Sequence, residues 1–139
     1  MNPLDAYKET KIKTASQGKL IVMLYDEAIK NIDIGIGLLK DKGKELDRVN
    51  DAIIKAQDVI TELATSLDFE RGGDIAANLF SLYMYFNQQL LNANIQKKIN
   101  PLEEVRRMLA DLRDAWSVID KQAATPESQP SIRGVNIAG

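Results

Sequence analysis

The residues Leu46, Val49, Ile53, Ala56, Ile60, Leu63 and Leu67 recur at alternating steps of three and four. At 100° per residue that spacing places all seven on one stripe of an α-helix, and a strand, whose period is two, cannot present them together. A helix with a single long apolar stripe is unstable alone and buries that stripe against other helices. The rest of the chain supplies partners of the same kind. From Ser16, a suitable N-cap, to Lys40, the residues Ile21, Tyr25, Ala28, Ile32, Ile36 and Leu39 share a face, and Asp41-Lys42-Gly43 ends that helix. Gly35 and Gly37 weaken it. After the second helix, Asp68-Phe69-Glu70-Arg71-Gly72-Gly73 reads as a loop whose glycines can take positive φ, with Asp74 capping a third helix through Ile75, Leu79, Leu82, Phe86, Leu90 and Ala93. Asn100-Pro101-Leu102-Glu103 combines an N-cap, a proline at the first helical position and a following Glu, which marks a fourth helix along Leu102, Val105, Leu109, Leu112, Trp116 and Ile119.

Four helices joined by short links must run antiparallel to their chain neighbours. The expected fold is therefore all-α: an up-down-up-down four-helix bundle over residues 16–121, preceded by an N-terminal arm, 1–15, and followed by a disordered tail, 122–139. The tail is expected because it is built of Ala, Thr, Pro, Ser and Gln without a large apolar cluster.

Composition narrows the function. The 139 residues include no His and no Cys, which removes the imidazole base, the thiolate nucleophile, zinc-thiolate sites and the Glu-x-x-His di-iron motif of some bundles. A net charge of −2 gives no field that would select a phosphate backbone or an acidic lipid surface. No apolar run approaches the roughly 20 residues of a membrane span, and the start Met1-Asn2-Pro3-Leu4 has no signal-peptide pattern. Asp26-Glu27, Glu103-Glu104 and Asp111 with Asp114 are better read as solvated helix faces than as acid/base or metal groups, and Gly72-Gly73 lacks the flanking residues of a nucleotide loop. The expectation is a cytoplasmic binding protein, not an enzyme, with no cofactor, no metal, no small-molecule substrate, no nucleic acid and no membrane insertion.

A binding surface is suggested by the third helix. Ala77, Phe80, Met84, Leu91 and Ile95 fall together roughly opposite its main stripe, yet a four-helix bundle gives each helix only one interior side. Either another part of the chain covers this second stripe or it is a groove for a ligand. Tyr83, on the shoulder of the main stripe, fits a groove, its ring packed and its hydroxyl in water, and equally fits the core. Ile54, beside the uncharged Asn50, Gln57 and Thr61 of the second helix, is either the groove's other wall or a lone surface residue. In the arm, Tyr7 and Ile12 are apolar residues that could lie in the groove as a gate, or belong to a frayed end.

Several short motifs, in this order, resemble one known family: Ala6-Tyr7-Lys8, Thr14-Ala15-Ser16 leading to Leu24-Tyr25-Asp26, Lys55-Ala56-Gln57-Asp58-Val59-Ile60, Leu67-Asp68-Phe69-Glu70 with Gly72-Gly73, and Leu112-Arg113-Asp114-Ala115-Trp116. Over residues 3–121 the chain is similar to the FliS flagellar export chaperones. The resemblance implies a chaperone of the bacterial cytosol that holds the disordered C-terminal segment of flagellin as helices, prevents premature filament polymerisation, and delivers it to the type III export gate. It also implies that a component of that gate and other flagellar regulators are partners, and that Tyr7 and Ile12 cover part of the client surface in the free protein. The groove residues Ile54, Gln57, Ala77, Phe80, Tyr83, Met84, Leu91 and Ile95 rest on periodicity alone. The sequence departs from the family at Ser16-Gln17-Gly18, where many members carry Ser-Pro; a looser arm hinge is expected there. A different class of function, a self-associating structural or regulatory bundle of the flagellar system, would use the same stripe.

Overall fold

The computed structural model describes residues 17–42 and 44–123. They form four helices: α1 (Gln17–Lys40), α2 (Leu46–Thr65), α3 (Phe69–Gln96) and α4 (Ile99–Ala123). Each packs on its chain neighbour and α1 closes the ring against α4, which is the expected antiparallel up-down-up-down bundle. The expectations for the arm, with Tyr7 and Ile12, for the cap at Ser16 and for the tail beyond Ala123 lie outside the described residues.

The α2 seam forms because its period is so regular. Val49, Ile53, Ala56, Ile60 and Leu63 are all buried, facing Ile21, Tyr25, Ala28, Ile32 and Ile36 of α1. Phe86, Leu90 and Ala93 of α3 and Leu102, Val105, Leu109 and Trp116 of α4 complete the core. A fully buried side chain of this size contributes about 1.5–3 kcal/mol by leaving water. Leu46 is exposed instead, because it opens α2 and projects past the end of the core.

Charge pairs outside the core set the register of α1 against α4. Arg106 donates to Asp33 through Nε at 2.6 Å and Nη2 at 3.3 Å, and Arg113 pairs with Asp26 through Nε at 2.7 Å. The two aspartates are one heptad apart and so are the two arginines, in opposite chain directions, so one antiparallel alignment satisfies both. All four side chains are well exposed, so each pair contributes at most about 1 kcal/mol; their value is in geometry. At the end of this interface a Cβ on Gly18 would stand 2.9 Å from Asp120 Oδ1. Gly18 lies inside α1 beside that carboxylate, and the looser arm hinge expected at Ser16-Gln17-Gly18 involves residues that lie outside the described ones.

The start of α3 also differs from expectation. Asp68, not Asp74, is the N-cap: its Oδ1 accepts from the Arg71 N–H at 3.1 Å, so Phe69 to Gly72 form a helical turn. Gly73 then breaks the helix with φ 50° and ψ −125°. Past that kink Ala76 takes the interior position and Ile75, expected in the core, is 49% exposed. At its other end α3 stops on Lys97, left-handed at φ 54°, whose N–H returns to Ala93 O. Two residues later α4 begins at Ile99, so Asn100 is inside the helix and not its cap. Pro101 is tolerated there because first-turn N–H groups have no intrahelical acceptor.

A polar contact crosses the core between α1 and α3. Tyr25 of α1 and Tyr83 of α3, 0% and 2% exposed, join their hydroxyls at 2.6 Å. Burial raises both hydroxyls above the ordinary tyrosine range, with the neighbouring phenol adding to the effect at Tyr25. The folded chain therefore keeps these protons above pH 10, where an unfolded chain loses them. The pair's contribution to stability is full and independent of pH below pH 10 and falls as pH rises beyond it, by up to about 1.4 kcal/mol per pH unit per tyrosine.

Three outcomes follow from this packing. In urea titrations at pH 7, Tyr25→Phe leaves a buried hydroxyl unpaired and costs about 1–3 kcal/mol, whereas Tyr25→Phe with Tyr83→Phe costs less than the two single changes added together; additive losses would show that the hydroxyls are not coupled. The double variant also shows a flatter decline in stability above pH 10. Gly37→Ala, in an exposed helical turn with open space around it, stabilises by up to about 1 kcal/mol, while Gly73→Ala destabilises by about 1 kcal/mol or more because of its positive φ.

Candidate functional site

The kinked helix α3 packs less closely on α2 and α4 than α1 does on its own neighbours. Its interior ridge is Ala76, Tyr83, Phe86, Leu90 and Ala93. On the other side Phe80, Met84 and Leu91 are 40%, 39% and 43% exposed, and Ala77 and Ile95 are exposed with them. Their spacing puts all five on one outward stripe. Among the described residues no neighbouring helix covers it. Tyr83 does not join this surface. Its hydroxyl is spent on Tyr25 beneath the stripe, so the reading in which it reaches water is corrected.

The α2 side of the stripe is bounded by a polar seam. Asn94 Nδ2 donates to Asn50 Oδ1 at 2.8 Å, Gln57 Nε2 donates to the Asn87 carbonyl at 3.3 Å, and Asn87 Nδ2 donates to Thr61 Oγ1 at 3.3 Å. Gln57 is thus a half-buried strut between the two helices. Beyond the seam Ile54 is 43% exposed on α2. The structure therefore sets Ile54 and the α3 stripe on either side of a row of uncharged polar side chains. At the N-terminal end of the stripe Phe69 stacks edge-to-face on Phe80, ring centres 5.8 Å apart, and is itself half exposed. On the α4 side Tyr85, 41% exposed, donates to Glu104 Oε1 at 2.5 Å, and that bond raises the phenol above its usual range.

Reading the sequence missed Phe69, Tyr85, Asn87 and Asn94, although two signals were present. From Ile75 to Gln96 there is no Asp, Glu, Lys or Arg, in a chain that is 27% charged. A surface helix without charge is unusual, since solvated faces normally carry them. The second signal is that Asn50 and Gln57 are one heptad apart, as are Asn87 and Asn94, the pattern of a polar seam between antiparallel helices.

Among the described residues nothing convergent of a catalytic kind accompanies this surface. Among the described residues no cluster of three or more acidic, His or Cys side chains could hold a metal ion, and no helix is long and apolar enough to cross a membrane. A cleft between α1 and α2, on the far side of α2 from α3, is lined by Asn31, Ile34, Leu38, Arg48, Asp51 and Lys55 and is largely polar. Asp26 and Asp114, considered above as chemical groups, both contact Arg113.

The residues that carry the sequence resemblance fall mostly on the supports of this face. Tyr25, Asp26, Arg113 and Trp116 tie α1 to α3 and α4, and Asp68 with Gly73 shapes the start of α3. The family described as Flagellar protein FliS matches residues 1–123. The flagellar secretion chaperone FliS of Bacillus subtilis is 34% identical over 126 residues, covering 91% of this chain and 89% of that protein. The FliS of Salmonella typhimurium is 34% identical, covering 87% and 89%, and that of Vibrio cholerae is 31% identical, covering 84% and 87%. An exposed, uncharged apolar face without catalytic groups is what a chaperone presents, and the chain belongs to the FliS family of flagellar secretion chaperones.

Proposed function

We propose that this chaperone binds the C-terminal segment of flagellin on the outer face of α3, with α2 as the second wall, and so keeps the filament subunit from polymerising before export. The observation that carries this reading is the stripe of Phe80, Met84, Leu91 and Ile95 on a helix without charge from Ile75 to Gln96, in a family of secretion chaperones. An apolar groove is chemically matched to an amphipathic segment that is disordered alone and becomes helical as it docks, with anchors at steps of three and four. The ordering cost offsets part of the contact energy, which keeps such a complex releasable at the export gate. The cytosol is the compartment where a subunit awaits export, and a gate component and other flagellar regulators are the further partners. In the free protein, residues 1–15 act as a gate, Tyr7 and Ile12 lying on part of the client face, and the apparent affinity falls by the fraction of molecules that are closed.

Calorimetric titration with the C-terminal segment of flagellin from the same cell gives a one-to-one complex, accompanied by a gain of helical circular dichroism beyond the sum of the parts. Phe80→Asp and Met84→Asp each weaken Kd by at least about tenfold, since a charge would be carried into a desolvated contact. Deleting residues 1–15 tightens Kd. Unchanged affinity in both charged variants would move the client off α3. The same face could instead join copies of this chain; a mass that rises with concentration in the absence of client, with no binding of flagellin, would favour that reading.

A further inference from the structure

The outer stripe of α3 is apolar and uncovered among the described residues, and α4 brings a further segment of this chain to its edge. α4 runs antiparallel to α3, and the Tyr85–Glu104 hydrogen bond sets their register. Equal steps down α3 and along α4 from that bond place Asp120 about level with Phe69, at the start of the stripe. α4 ends soon after, at Ala123, so the chain leaves the bundle beside the half-exposed Phe69. Residues 124–139 follow, beyond the part that the family match covers.

The composition of that segment suits the face. Glu127 and Arg133 are its only charged side chains and cancel, which matches a helix without Asp, Glu, Lys or Arg from Ile75 to Gln96. Pro126 and Pro130 favour extended backbone over helix. Beyond them come Ile132, Val135 and Ile137, its only large apolar residues. Fully extended, the chain reaches about 30 Å from Ala123 to Ile132 and about 46 Å to Ile137. Phe80 lies about 17 Å along α3 from Phe69, and Leu91 about 33 Å. The extended span from Ile132 to Ile137, about 17 Å, also equals the helical span from Phe80 to Leu91. We propose that residues 131–137 lie along the outer stripe of α3 in the free chain, Ile132 toward Phe80 and Ile137 toward Leu91, and that the client displaces them. The competition rests on the proposed docking of a flagellin segment on this face. Three aliphatic side chains bury far less than an amphipathic helix does, so the cover yields to the client. Until then it shields Phe80, Met84 and Leu91 from water, and it lowers the apparent affinity by the fraction of molecules covered.

The test compares the full chain with its double variant Ile132→Asp, Ile137→Asp, residues 1–15 being intact in both. Methyl spectra of the free proteins read the cover on α3, and calorimetry gives Kd for the flagellin C-terminal segment. The double variant is expected to shift the Met84 and Leu91 methyls in the absence of client and to tighten Kd by about threefold or more, the factor for a face covered about two-thirds of the time. Unmoved Met84 and Leu91 methyls overturn the inference, whatever the client does. Shift differences that disappear on dilution assign the cover to a second copy of the chain and overturn it as a contact within one molecule. If the methyls move, Kd is unchanged and Met84→Asp abolishes binding, the client does not compete with the segment and that part of the inference is overturned while the docking face stands. If Met84→Asp binds normally, the docking face falls and the competition falls with it.

Discussion

A helix in a four-membered bundle has one side facing the interior, and α3 carries apolar residues on two. That mismatch governs the rest of the molecule. The inner ridge from Ala76 to Ala93 is fixed by the core and by the hydroxyl pair Tyr25–Tyr83, so the second stripe cannot turn inward without unpairing a buried phenol. The outer stripe is thereby held outward on a rigid support. The absence of charge from Ile75 to Gln96 leaves it no competing interaction with water beyond amides and hydroxyls. The surface is apolar and uncharged, and the surrounding structure keeps it in one place.

The means of that support lie in the contacts between α1 and α4 and in the start of α3. Asp26 with Arg113, and Asp33 with Arg106, align α1 and α4 in a single register. The Asp68 cap with the positive-φ Gly73 brings Phe69 back over Phe80.

Much of the fold was legible because its information is periodic and local. The α2 seam, the antiparallel order and the outward stripe all follow from steps of three and four. The readings that failed share a different cause. Tyr83 was assignable to either side because its partner, Tyr25, is distant in sequence and only the packed core brings them together. Ile75 and the start of α3 were misplaced because two aspartates, Asp68 and Asp74, can each cap a helix, and the choice depends on a backbone kink at Gly73 that periodicity does not report. Asn100 reads as a cap in the sequence, but Lys97, a non-glycine residue, ends α3 in the left-handed conformation and lets α4 begin earlier.

The central claim is that the client occupies the outer face of α3 and its border with α2. Methyl and amide chemical-shift mapping of the labelled chaperone, titrated with the flagellin C-terminal segment, tests it most directly. The account predicts that the largest shifts fall on Ile54, Met84, Leu91 and Ile95. Shifts concentrated instead on Ile34 and Leu38 in the cleft between α1 and α2, or on Val118 of α4, with the α3 methyls unmoved, would contradict it.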